Sequence, residues 1–182
     1  MNGVNRNTEM ESSRNAVGLW FFTDFGQFYI CDPDTESDTS SPDFWNNEAF
    51  GRSIAASEGI IGVGVSDFGL VRGLFQIFGS EPNIPTEAWD NIAEASITTR
   101  SGRIQIIDCP SSGVQHEWSL PAGDYRVRVY SALYHLTPQD YKRINENLDA
   151  MSSSGPDFYW VCLWPAEFSP PIHLKGLKRK SG

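Results

Sequence analysis

The stretch Tyr125-Arg126-Val127-Arg128-Val129-Tyr130-Ser131-Ala132-Leu133 decides the class of this fold. Val127, Val129 and Leu133 alternate with Arg126, Arg128 and Tyr130, the period-two pattern of a strand with one buried and one wetted face. The tight turn Leu120-Pro121-Ala122-Gly123-Asp124 leads into it. The segment is therefore expected to be a central strand of a sheet, with Arg126 and Arg128 on the solvated side as partners for nearby acids.

Toward the N-terminus the same grammar repeats. Leu19–Ile30 is rich in aromatic residues, with Gly26 as a bend or bulge between two strand halves. Gly59–Val65 reads as a buried strand whose small residues let another backbone come close, and Leu70–Phe78 as a second strand after a turn near Gly69. Ala88–Thr99 and Arg103–Asp108, joined at Arg100-Ser101-Gly102, carry the signal of a hairpin. Between these, Phe44-Trp45 and residues 46–57 suit either a short helix or an irregular edge. Toward the C-terminus, Leu136, Tyr141, Ile144 and Leu148 at helical spacing place a helix over 137–151, with Thr137 as its cap. Phe158–Trp164 follows as a final strand, with Pro165, Pro170 and Pro171 ending the ordered part.

Seven or eight short strands with at most one or two short helices give a mainly β protein, an antiparallel β-sandwich. The 182 residues fit one domain. Residues 1–16 read as a disordered arm, 17–173 as the single domain, and 174–182 as a basic flexible tail.

Charge is the first pointer to function. The chain carries 23 acids against 14 bases, a net of −9, and four of the bases (Lys175, Lys178, Arg179, Lys180) stand in the last eight residues. A body this acidic repels nucleic acid and anionic lipid, and attracts a basic protein. There is no apolar run long enough for a transmembrane helix and no apolar signal segment, so the expected compartment is the cytoplasm. Cys31, Cys109 and Cys162 form no CxxC pair, which suits reduced thiols.

The motifs of catalysis are not found. His116, His135 and His173 lack the spacing of a zinc site, and no Walker loop or nucleophile elbow is present. Asp32–Asp43 alternates oxygen ligands as calcium loops do, but holds Ser37 where the glycine is needed and Asp43 where a bidentate Glu is needed. No metal or cofactor is expected, and the chain is read as a non-enzyme.

Several stretches together carry a resemblance. They are Gln27-Phe28-Tyr29, an acidic loop ending in Trp45, Gly62–Val65, Trp89 through Ser96, Ser101-Gly102-Arg103, Leu120 through Arg128, and Tyr159 through Pro165. In this order they resemble a widespread family of bacterial proteins of unassigned function. In layout they are more distantly similar to competence protein J, the small inhibitor of a DNA-entry nuclease. The likeness covers about residues 17–167 and implies a nuclease-inhibitor or immunity-like binding protein, with no catalytic residues.

The leading functional reading is thus an acidic cytoplasmic protein that neutralises a basic partner, a toxin or nuclease. Asp32, Asp34, Glu36, Asp38 and Asp43 would steer the encounter, with Trp45 beside them as the apolar anchor. Two alternatives stay open: a small-molecule-binding sandwich with Trp118, Trp160 and Trp164 lining a pocket, and an enzyme of unrecognised type.

Overall fold

The computed structural model describes residues 15–23, 25–65, 70–108, 113–132 and 157–176. The helix expected over 137–151, the turn near Gly69, Cys109, His135, and nearly all of both chain ends lie outside them.

Eleven strands and one short helix make up the described fold: β1 (Ala16–Phe22), β2 (Gln27–Cys31), α1 (Asn47–Arg52), β3 (Ile54–Ser57), β4 (Ile60–Gly64), β5 (Leu70–Ile77), β6 (Asn91–Thr99), β7 (Arg103–Ile107), β8 (Val114–Ser119), β9 (Gly123–Ala132), β10 (Phe158–Pro165) and β11 (Ile172–Lys175). They form two sheets, one in the order β1-β5-β10-β9-β6-β11 and one in the order β3-β4-β2-β7-β8. Pairing is antiparallel except for β10 against β5, which run parallel. The mainly β sandwich read from the sequence is the observed architecture, and β9 lies inside its sheet as expected.

The core is the space between the sheets. Val71, Phe75, Ala93, Ala95, Ile97, Val127, Val129, Val161 and Leu163 face it from one side; Phe28, Ile30, Ile54, Ile61, Val63, Ile104, Ile106 and Trp118 face it from the other. Phe28 sits at the centre, edge-on to Phe21, Phe75 and Tyr159. Such edge-to-face pairs add about 0.5–1.5 kcal/mol beyond their burial.

Both sheets are also covered outside. Ile92, Tyr130, Cys162 and Trp164 pack with Phe78, Ile84, Trp89 and Trp160 over the larger sheet. The 33–53 segment lies over the smaller one, setting Phe44, Trp45 and Ala49 against Tyr29, Cys31, Ala55 and Ile60. Of the two readings of 46–57, both apply in part. Asn46 caps α1 through its side chain to the Ala49 N–H at 2.9 Å, and the chain then enters edge strand β3.

Three expectations are corrected. First, Arg126 and Arg128 are not solvated. Period-two alternation separates the two faces of β9 but says nothing about what covers the second. Glu94 accepts from Arg126 Nε at 2.8 Å and also from Arg128, while the Ser169 and Pro170 carbonyls close over Arg126 at 2.7 and 3.1 Å. Second, Arg100-Ser101-Gly102 does not join a hairpin. β6 pairs with β9 and β11, whereas β7 pairs with β2 and β8, so the turn carries the chain from one sheet to the other. Gly102 makes that corner possible: its φ is +71°, and a Cβ there would stand 2.9 Å from the Leu120 carbonyl oxygen. Third, the ordered chain does not stop at Pro171. β11 adds an edge to the larger sheet, and Lys175 Nζ donates to the Thr86 and Glu87 carbonyls at 2.9 and 3.2 Å.

Candidate functional site: an acidic cleft and an aromatic groove

The acidic segment after β2 is stitched down at its first residue. Asp32 is 3% exposed. Its carboxylate accepts from the Asp34 N–H (2.8 Å), the Thr99 hydroxyl (2.8 Å), the Arg100 N–H (2.7 Å) and the Ser101 N–H (2.9 Å). Burial alone would raise its pKa, but the N–H groups of Ser101 and Asp34 and the Thr99 hydroxyl outweigh that and hold it at about 2. Asp32 therefore clasps the inter-sheet corner at 99–101 at the floor of the acidic segment.

Next, Thr35 and Ser37 both donate to the Glu58 carbonyl, tying the loop to the β3–β4 turn. A cleft of about 490 Å³ opens between these segments. Its lining carries Asp32, Asp34, Glu36 and Glu58 against Arg100, with Thr35, Ser37 and Thr98 as neutral donors. Glu58 is ion-paired to Arg100, and Asp34 to Arg103 at 3.2 Å; all four side chains remain well exposed. Exposed pairs of this kind contribute under about 1 kcal/mol each and can rearrange toward an incoming charge.

A second opening of about 250 Å³ is of another character. Phe25, Trp45, Phe50, Val65 and Tyr159 supply apolar walls, with Asn91 and Ser131 as polar contributors. Phe25 and Phe50 are 74% and 66% exposed, which is unusual for phenylalanine. Trp45 is half-buried: its ring lies 5.4 Å from that of Phe50 and 6.0 Å from that of Phe44. Gly62 is what lets it pack this close to the sheet, since a Cβ there would stand 2.9 Å from Trp45 Cζ2.

The structure thus divides the six residues singled out in the sequence. Asp32, Asp34 and Glu36 line the cleft, Asp32 also pinning it to the 99–101 corner, and Trp45 belongs to the aromatic groove. Asp38 and Asp43 line neither; the Asp38 carboxyl is held below its usual range by the Ser40 hydroxyl and N–H. Sequence reading missed Glu58, Arg100, Phe25 and Phe50. The Glu58-Gly59 turn between two apolar runs and the Asn46 cap ahead of Phe50 were the available signals. Trp118, Trp160 and Trp164 do not converge: Trp118 faces the core, and the other two lie on the outer side of the larger sheet. None of them lines either opening. Among the described residues no helix is long and apolar enough to cross a membrane.

No protein-family model and no curated protein matches the sequence. Among solved structures, the chain is similar to ComJ of Bacillus subtilis, described as an inhibitor of the DNA-degrading activity of NucA. The TM-score is 0.58 at 16% identity, covering 82% of this chain and 96% of that one. A structure described as crocagin biosynthetic gene J gives a TM-score of 0.48 at 20% identity, covering 84% of this chain and 97% of that one. The distant likeness in layout to competence protein J therefore holds at the level of the fold.

Proposed function

We propose that this chain is a cytoplasmic, non-catalytic binding protein that neutralises a basic partner, a nuclease or toxin, through the acidic cleft at one end of β2, β4 and β6, with the aromatic groove at the opposite end of the same strands as a second contact region. The observation that carries it is the composition of these two openings. Asp34, Glu36 and Glu58 offer exposed negative charge, while Phe25 and Phe50 offer exposed rings beside Trp45. Carboxylates raise the rate of encounter, and aromatic anchors slow dissociation. The fold shared with a nuclease inhibitor supports the same reading. A net charge of −9 makes a phosphate backbone an unfavourable ligand.

The test is capture and kinetics. The tagged full chain is used to isolate a partner from the source cells at low salt, and association is then followed as salt is raised. The expected partner has a positive net charge, and its association slows as the Debye length falls from about 10 Å at 0.1 M toward 3 Å at 1 M. Asp34→Asn with Glu36→Gln and Glu58→Gln should slow association, and Phe50→Ala should hasten dissociation. Association indifferent to salt and to the three acid substitutions, with dissociation unchanged by Phe50→Ala, would sink the proposal.

A further inference from the structure

Each sheet ends in two edge strands, and three of the four are blunted. β3 is four residues long; β8 carries His116 and Glu117; β11 is four residues long, follows Pro170-Pro171 and carries His173 and Lys175. Short length, charge and proline are the usual protections of an exposed edge. β1 has none of them. Its sequence, Ala-Val-Gly-Leu-Trp-Phe-Phe, holds no charge and no proline, and Trp20 and Phe22 are 48% and 57% exposed.

The ladder shows which main-chain groups β1 offers. Ile77 N–H donates to the Asn15 carbonyl at 2.8 Å, and antiparallel ladders bond in alternate pairs. Val17, Leu19 and Phe21 therefore turn their N–H and C=O groups to β5, and Ala16, Gly18, Trp20 and Phe22 turn theirs outward. No described strand takes them up.

We propose that β1 pairs antiparallel with β1 of a second copy about a twofold axis through Leu19, joining two six-stranded sheets into one. In this register Gly18 faces Trp20 of the second copy and Ala16 faces its Phe22. All four outward residues of each strand are then matched. Each large outward ring meets a small residue, and a Cβ added at Gly18 would find no atom closer than the Gly73 carbonyl oxygen at 4.0 Å, so the space for an indole is open. Sliding the pairing by two residues sets Gly18 against Gly18 or Trp20 against Trp20 and leaves an outward pair unmatched at the end. Sliding by one sets outward groups against inward ones and puts core side chains on the wrong face. Among the described edge strands, the one without short length, charge or proline is thus the one whose sequence complements itself.

The inference is independent of the partner surface proposed above and opposite to it in salt dependence. Two copies of net charge −9 repel, so added salt should strengthen self-association while weakening attraction to a basic partner. Sedimentation velocity of the full chain, from about 1 to 100 μM at low and high salt, reads it directly. The expected result is a concentration-dependent rise from 20.3 kDa to twice that mass, reached at lower concentration in high salt. Trp20→Lys should shift the midpoint upward at least about tenfold. Gly18→Val suits a strand and keeps the monomer intact, yet fills the space for the opposing indole, and should weaken the dimer by a similar factor. Leu174→Lys on the opposite edge of the sheet should leave it unchanged. A chain that stays monomeric throughout, a dimer indifferent to Gly18→Val and Trp20→Lys, or one equally weakened by Leu174→Lys overturns the proposal.

Discussion

The guanidinium of Arg126 and the carboxylate of Glu94 meet at 2.8 Å, with 6% and 7% of their side chains exposed. Arg128, 12% exposed, reaches the other oxygen of the same carboxylate and continues to Glu81, the Tyr130 hydroxyl and the Trp164 ring. One buried anion thus serves two buried cations. Burial works against the charge on Arg128, but the hydrogen bonds it donates to Tyr130, Glu81 and Glu94 outweigh it and raise its pKa. Glu94→Ala would leave both guanidinium groups without their shared partner. Urea unfolding should show a loss of about 3–5 kcal/mol, far more than for substitution of the exposed Glu58.

Asp32 ties stability to pH. Its folded pKa of about 2 lies below its ordinary value of 3.8, so its contribution of about 2 kcal/mol is fully present above pH 4. That contribution is lost as pH falls from about 4 toward 2, where the folded carboxylate takes up its proton. Asp32→Asn should lower stability near neutrality and flatten the acid limb. An acid limb unchanged by the substitution would show that other carboxylates account for it.

Gly62→Ala should disturb the aromatic surface without touching an exposed residue. The new methyl would lie 2.9 Å from Trp45 Cζ2 and 3.0 Å from Phe44 Cε1, so the rings must move. The expected cost is about 1–3 kcal/mol, with a shift in tryptophan emission. An unaltered spectrum and an unaltered melt would show that the rings have room.

Cys31 and Cys162 should resist thiol reagents in the folded protein. Burial pushes the Cys31 thiol up to about 11, with Asp32 adding to it, and the Cys162 thiol up to about 12. In a Cys109→Ser chain at pH 8, labelling is expected only after unfolding in urea. Prompt labelling of the native chain would contradict the burial of both.

The strands over 60–64, 70–77, 91–99, 103–107 and 158–165 were legible because each is an apolar or alternating run between turn residues. Pairing was not. The turn at 100–102 has hairpin chemistry, yet Tyr29 and Ile107 become neighbours from 78 positions apart, and local sequence does not encode that choice. β8 escaped notice because Gln115, His116 and Glu117 break its apolar pattern. β11 escaped because the prolines before it read as a stop. The candidate site was half legible. Asp34, Glu36 and Trp45 follow from their loop, but Glu58 joins them through the pairing of β2 with β4, Arg100 only once the two sheets are stacked, and the inward turn of Asp32 depends on N–H groups 68 and 69 residues away.

The place of β10 between β5 and β9 bears on how the molecule assembles. Its parallel register with β5 sets Arg72 beside Phe158, a closure of 86 residues that local interactions cannot nucleate. Until β10 inserts, the larger sheet exists as two fragments, β1-β5 and β9-β6-β11, each with an open apolar margin. Refolding should therefore be slow for a chain of this size, with losses to intermolecular strand pairing that grow with concentration during the interval before closure.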